Sequence, residues 1–428
     1  MITTPSRWIK NADDLGTTPE RQDMLKILEA GYDSIETTQV VRTNVHVEGT
    51  VLRVADHQFD LGRFKSISII GFGKGAATAV HTLTEILRDK VTRGVVIDKM
   101  AIESDRILSY KGTHPIPSSS NVSASAKIME VATELTAEDL VLVVICGGGS
   151  SLLCWPESEC EQSQRLYEAF LKVGATIHEV NLVRKHISTV KGGGLAKLLY
   201  PATVVGLVFS DIVGDRPEEV ASGPTYYDSS TVEDAKRILD AYGILGEFTL
   251  VETVKDKKYF ENVTNIVLIS SAHALEAMAK TAQRLGYKSD IVQEPLYASA
   301  DDALNALQTR STDKSVVLAG GEIIVKVTNL GGNGGRCQYL ALHALPKLYD
   351  SQVFAAVASD GNDNSDIAGA VVDTETDRKI VHYHLEGHDK LLNAYDIISK
   401  TNDYVMTGPT EANVSDWYVL LTPYIHAK

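Results

Sequence analysis

Cysteine is scarce: 428 residues contain only Cys146, Cys154, Cys160 and Cys337. No two form a CxxC pair, and no His/Cys group has zinc spacing, which excludes a zinc finger and a disulfide-stapled scaffold. Reduced thiols in a cytoplasmic protein are the expectation. Long apolar runs are missing too, since none approaches the roughly 20 residues that span a bilayer. The opening MITTPSRWIKNADDLG has no apolar core of a signal peptide. Basic charge is in deficit, with 41 Lys and Arg against 56 Asp and Glu, a formal net charge of −15. That balance excludes nucleic acid or an anionic membrane as partner of the whole surface, and it makes any local group of cations stand out. Three motifs are also lacking. There is no GxxxxGK[ST] phosphate loop, and GGGSS does not have the GxSxG spacing of a nucleophile elbow. GFGKGA falls short of a dinucleotide fingerprint because Ala76 stands where its third glycine belongs.

Present instead is the stretch LVLVVICGGGSSLL at 140–153. Its unbroken apolar start suits a strand covered on both faces. Gly147, Gly148 and Gly149 then allow a sharp turn and a close approach to a ligand. Ser150 and Ser151 are expected to cap a following helix, whose free N–H groups favour an anion. An ordinary strand-to-helix turn is the competing reading of the glycines alone.

The length exceeds what one core usually supports, so about two domains are expected. The spacing predicts a helix over 19–41, two short strands at 45–54 and 58–61, and a strand at 64–70 running into GFGKGA and an Ala-rich helix. Strands are also predicted at 94–98 and 202–209, and helices at 127–135 and 163–174, with 187–199 carrying the glycines of KGGGLAKLL. Alternation of this kind implies βαβ units and a mostly parallel sheet, whose ligands sit beyond the carboxyl ends of its strands. Lys74, residues 147–151 and Asp211 all fall at such ends. A second α/β pattern is expected from about Ser229, with strands near 265–269, 289–292 and 315–318.

Several clusters suit an anionic substrate. Lys74 can bind phosphate as a mobile point charge. Arg184, Lys185, His186, Lys191 and Lys197 crowd one short stretch, which suits carboxylate or phosphate recognition as well as a solvated helix face; His186 by itself reads as structural. Asp211, and less so Asp215, can hold Mg²⁺ bridged to phosphates. In the second half, Glu322, Arg336, Asp360 and Asn413 sit on Gly-rich loops, as an electrostatic clamp around a transferring phosphoryl group would require.

The strings GFGKGA, THPIPSSS, CGGGSSLL, EVNLVRKHISTVKGGGLA, FSDIVGDRPEEVASGPT, GGEIIVKV, GGNGGRCQYLAL, SDGNDNSDIAGAVVD and TGPTEANVSDW together resemble the glycerate 2-kinase family, whose C-terminal part is known as the MOFRL domain. The likeness covers nearly the whole chain from about Val45. It implies an α/β fold of two domains: a Rossmann-like, mostly parallel-sheet domain over 45–230 and a smaller MOFRL-like α/β domain over 231–428. The helical segment 17–44 is expected to join the second, with the active site in the cleft between the domains. It implies ATP-dependent, Mg²⁺-assisted phosphorylation of the 2-hydroxyl of D-glycerate, giving 2-phosphoglycerate and ADP. By matched position, Lys74, Asp211, Arg336 and Asp360 are the catalytic set. Gly147, Gly148, Gly149, Ser150, Ser151, Arg184, Glu322 and Asn413 bind substrate or ATP, and Asp211, Glu322 and Asp360 are the metal carboxylates. The implied partners are a glycerate-like hydroxy acid and ATP, with no nucleic acid and no membrane; a homodimer is among the assemblies allowed.

Two departures bear on the substrate. The family reads GGRNQE where this chain has GGRCQY, so Cys337 and Tyr339 replace an amide and a carboxylate. The family's DGTDGPTDAAGA appears as the shorter DGNDNSDIAGA. A kinase for another small sugar acid, a hydroxypyruvate reductase and a non-catalytic binding module are therefore the alternatives.

Overall fold

A computed structural model describes residues 7–173, 176–212, 214, 216–244, 246, 248–325, 333–349, 351–383, 393–410 and 412–424. The chain divides into two compact units, one of Thr37–Ile212 with Arg216–Ile269, the other of Met1–Glu36, Val213–Asp215 and Ser270–Lys428.

The first unit begins with an antiparallel sheet of β1 (Val45–Glu48), β2 (Val51–Val54) and β3 (His57–Asp60). Gly49, at φ +62°, turns the chain after Glu48, so the single strand expected over 45–54 is two. The main sheet holds β4 (Ser66–Phe72), β5 (Arg93–Asp98), β6 (Ile107–Lys111), β7 (Asp139–Cys146), β8 (Thr203–Phe209) and β9 (Val263–Ile269). Its order is β6-β5-β4-β7-β8-β9, parallel throughout. In chain order that is 3-2-1-4-5-6, the doubly wound arrangement whose switch point lies between the first and fourth strands. Here those strands are β4 and β7, paired in register from Ser66↔Asp139 to Phe72↔Ile145.

Every residue of β7 is buried, as a central strand covered on both faces must be. Val143 and Ile145 pack with Ile70, Phe72, Ile128, Leu152, Leu199 and Val208 in one core. Each such aliphatic side chain contributes about 1.5–3 kcal/mol of burial free energy. The strand expected at 265–269 is β9, and it pairs with β8 rather than with the second half. The division expected after residue 230 is thus corrected: the parallel-sheet unit continues to Ile269. The predicted helix at 127–135 is the C-terminal part of Ser119–Thr133. Its start is fixed by Asn121, whose side-chain oxygen accepts from the Thr113 N–H (2.9 Å).

The second unit has the mixed sheet β10 (Lys288–Ile291), β11 (Ser315–Gly321), β12 (Val353–Ala358), β13 (Gly369–Val372), β14 (Tyr404–Val405) and β15 (Asp416–Thr422), ordered β10-β11-β15-β12-β13-β14. Only β10 and β11 pair in parallel; the remaining pairings are antiparallel. The helix Pro19–Ile35 opens with proline at its first position and the Thr18 hydroxyl accepting from the Arg21 N–H. Arg21, 1% exposed, ties that helix down by ion pairs to Asp373 (2.6 Å) and Asp403 (2.8 Å). The helical segment expected over 17–44 is split by this anchoring: Pro19–Ile35 lies in this unit, and a separate helix, Thr37–Asn44, in the other. Among the described residues no helix is long and apolar enough to cross a membrane.

Candidate functional site

In the parallel-sheet unit, the loops after β4 and β7 lie side by side at the switch point. The Lys74 N–H donates to the Gly147 carbonyl (2.9 Å). A Cβ at Gly147 would collide with the Asp211 carboxylate, and one at Gly148, itself at φ +75°, would lie 2.9 Å from the His114 ring and 3.4 Å from Lys74 Cε. The glycines are therefore fixed by close approach, and they bring Lys74, Asp211 and His114 to one place. Ser150 and Ser151 do not cap. The short helix Gly149–Leu152 has Gly148 at its N-cap, which puts both serines inside it. The Ser150 hydroxyl pairs with that of Ser222 (2.9 Å), and Ser151 donates to the Gly148 carbonyl (3.1 Å).

His114 was not assigned a role from sequence, although THPIPSSS stood out as a segment. Its pKa is lowered to about 4, first by burial and then by the positive charges of Lys74, Lys99 and Arg184. Of these, Lys74 lies beside His114 at the same glycine. Arg184 Nη1 donates to Asn181 Oδ1 (3.1 Å); burial lowers its pKa, and the charge of Glu159 offsets that in part. Ala221 and Ser222, in the segment EEVASGPT, hold φ of +52° and +62°. Non-glycine residues in that region cost roughly 1–3 kcal/mol each and concentrate at functional sites.

The other cations of the Arg184 stretch are committed elsewhere. Lys191 is buried in an ion pair with Glu159 and also donates to the Leu153 carbonyl (3.0 Å). Lys185 pairs with Asp228 (2.9 Å), and Lys197 lies over the Tyr259 ring at 5.8 Å. The buried His186 is held between the Val251 carbonyl and the Ser230 hydroxyl. Only Arg184 of that stretch contributes to the cation cluster.

In the mixed-sheet unit, Glu322, Arg336, Asp360 and Asn413 line one cavity of about 290 Å³, with Asp363 and Asp416. Arg336 is held on two sides, by Glu322 (2.7 Å) and by Asp416 through Nε (3.4 Å). Burial pushes Asp416 up to about 7; Arg336 pulls it back in part, and the charges of Asp363, Glu322 and Asp360 push it further. The Asp360 carboxylate accepts from the Asn362 N–H (3.0 Å), and Asn413 Oδ1 from the Ser415 N–H (3.1 Å). Asp363 is buried as the cap of the helix Arg336–Ala344, accepting from the N–H groups of Cys337 (3.1 Å) and Gln338 (2.8 Å). Asp363 and Asp416 went unassigned from sequence. Both lie in quoted motifs, SDGND and VSDW, where acidic side chains next to turns look ordinary.

The two substitutions in GGRCQY do not line this cavity. Cys337 is fully buried, its thiol pushed up by burial beside Asp416 and Asp363. Tyr339 stacks on His343 (5.6 Å). The altered acidic loop, by contrast, lines it with Asn362 and Asn364. Asp215, Gly331 and Gly332 lie outside the described residues. Among the described residues no three His, Cys, Asp or Glu side chains are gathered as a ready metal cage. Asp211 belongs to the first unit, and Glu322 and Asp360 to the second.

Residues 23–256 match the family described as a domain of unknown function, DUF4147, and residues 315–416 match the MOFRL family. A protein of Pyrococcus horikoshii named glycerate 2-kinase is 33% identical over 92% of this chain and 96% of its own. One of Agrobacterium vitis named putative hydroxypyruvate reductase is 32% identical over 82% of this chain and 98% of its own. The crystal structure of a glycerate kinase from Thermotoga maritima superposes with a TM-score of 0.77 at 28% identity, covering 94% of this chain and 99% of that one. With its parallel-sheet unit, its MOFRL half and these relatives, the chain belongs to the glycerate 2-kinase family.

Proposed function

We propose that the protein is a cytoplasmic, ATP-dependent kinase that phosphorylates the 2-hydroxyl of D-glycerate, giving 2-phosphoglycerate and ADP. One observation carries the reading: Lys74 and His114 lie together against the glycine loop at the switch point of an otherwise acidic protein, and the positive charges of Lys74, Lys99 and Arg184 all act on that imidazole. Cations at the carboxyl ends of a parallel sheet suit phosphate oxygens.

Lys74 and Arg184 offset charge on the polyphosphate, and neutral His114 supplies a hydrogen bond without adding charge. The backbone of residues 147–151 completes the anion cradle. Arg336, fixed by Glu322 and Asp416, presents a planar fork that suits a carboxylate or a phosphoryl group. Asp360 accepts the proton of the acceptor hydroxyl, and Asn413 orients the acid. Phosphoryl transfer needs chiefly position and charge stabilisation, and these groups supply both. The donor set is hard oxygen, as Mg²⁺ prefers, and Mg²⁺ needs only one or two carboxylates beside phosphates and water. Asp211 would hold it, and the ion would neutralise phosphate charge.

The test is ADP release from Mg-ATP against a panel of hydroxy acids, with NADH and NADPH consumption followed in parallel on hydroxypyruvate. Turnover with D-glycerate supports the proposal. Turnover with another acid alone moves the specificity to Asn362 and Asn364, and reduced-nicotinamide consumption without ADP release overturns the kinase reading. Ala76, fully buried at the start of the helix after β4, argues against that last outcome.

A further inference from the structure

The helix Ser271–Arg284 runs for 14 residues, and no side chain caps its N-terminus. The hydroxyl that could do so, Ser270 Oγ, is bonded instead to His273 Nδ1 (3.0 Å). The first N–H groups of such a helix, with its positive dipole end, are an anion site in waiting. A second observation points the same way. Ser271, 4% exposed, has a hydroxyl with no hydrogen-bond partner, and a buried polar group of that kind calls for a bound water or ligand. Ser271 and Ala272 line a cavity of about 180 Å³ walled by Leu275, Val292 and Pro295. At about 30 Å³ per water, that volume admits a five-atom oxyanion with part of its hydration. The cavity also takes in Gly320 of β11 and lies where β10 ends, so it sits by the carboxyl ends of the one parallel pair in this sheet.

We propose that this cavity binds a phosphate group, carried by a nucleotide or by a phosphorylated hydroxy acid, on the N–H groups of the first turn and the Ser271 hydroxyl. None of the residues lining it is assigned to catalysis, and it does not depend on the kinase reading. Glu276, exposed at the rim and paired with Lys280 (3.6 Å), opposes the anion and keeps the affinity moderate.

Crystals soaked in tungstate locate tetrahedral oxyanions by anomalous scattering, and calorimetry with inorganic phosphate measures affinity. The expected result is a peak beside Ser271 that vanishes in Ala272→Glu. That substitution adds a competing carboxylate but stabilises the helix, so loss of binding is not loss of fold. Ser271→Ala should weaken phosphate about fivefold, and Glu276→Gln should tighten it about twofold. Displacement of tungstate from this position by ADP identifies a nucleotide, and displacement by 2-phosphoglycerate identifies the phosphorylated acid. A peak retained in Ala272→Glu, a peak that neither compound displaces, or no peak beside Ser271 overturns the proposal. If tungstate appears only near Lys74, this inference fails while the kinase reading stands.

Discussion

The two candidate half-sites are built from opposite charge. At the switch point of the parallel sheet, burial and the positive charges of Lys74, Lys99 and Arg184 hold the His114 imidazole neutral. In the cavity of the mixed sheet, one cation, Arg336, sits among Glu322, Asp360, Asp363 and Asp416. The first sets Lys74 and His114 against the glycine loop, where an incoming anion meets positive charge. The second spends its cation on two carboxylates, so Arg336 is held in place before any ligand arrives. The first suits attraction of an anion and the second suits orientation of a group bound to Arg336. That division suits phosphoryl transfer, in which little covalent work falls to the protein.

The contrast is broken most directly at Lys74. Lys74→Ala should lower turnover about 100- to 1000-fold, the range for removing one preorganised stabiliser of transition-state charge, with thermal stability nearly unchanged. Lys191→Ala is the matching control. It strands the buried Glu159 carboxylate and should cost about 3–5 kcal/mol of stability, measured by urea unfolding. Full activity in Lys74→Ala would remove that lysine from the mechanism. Next comes Arg336→Lys, which keeps the charge but loses the fork that bridges Glu322 and Asp416. Turnover should fall roughly 10- to 100-fold, at about 1.5–3 kcal/mol for a charged hydrogen bond. If the lysine variant is as active as the parent, orientation is not what this half supplies. Arg184→Gln should act more weakly, raising the KM for ATP about tenfold with a smaller change in kcat. Among the described residues its guanidinium has one hydrogen bond to lose, and two other cations remain.

The unequal legibility of the two halves follows from what is local in sequence. β7 reads as a buried strand because Leu140, Val141, Leu142, Val143, Val144 and Ile145 all face core, and the glycines that follow announce the turn. β6 is an edge strand with one fully buried position, and its ILSYK carries no periodic signal, so it was not foreseen. β9 resembles any short apolar strand, and only its pairing with β8 decides which sheet it joins. Lys191 looked like a ligand for anions because its partner, Glu159, lies 32 residues away. His114 was passed over for the complementary reason. Its three cations come from the loop after β4, the end of β5 and the helix Ile177–His186, and nothing near position 114 hints at them. Asp416 likewise derives its character from burial and from carboxylates on other segments. Motif residues on strand ends were legible, whereas the groups that tune them were not.

The finest comparison is between His114 and Asp416, whose protonation shifts have opposite consequences in the same pH range. His114 is lowered from 6.5 to about 4 in the folded state. The unfolded chain therefore binds more protons between about 4 and 6.5, and this group's stabilising contribution is present above 6.5 and lost as pH falls. Asp416 is raised from 3.8 to about 7. The folded chain then binds more protons between about 4 and 7, and this contribution is present below 3.8 and lost as pH rises through 7. Each slope is at most about 1.4 kcal/mol per pH unit, and in the parent the two oppose one another. His114 is the more exposed of the pair, so its slope should be the shallower. The free energy of urea unfolding for Asp416→Asn minus that of the parent should climb with pH across the window, and for His114→Gln it should decline. Two difference curves of the same sign would show that one of the two groups is not held as the cation cluster and the carboxylate cavity require.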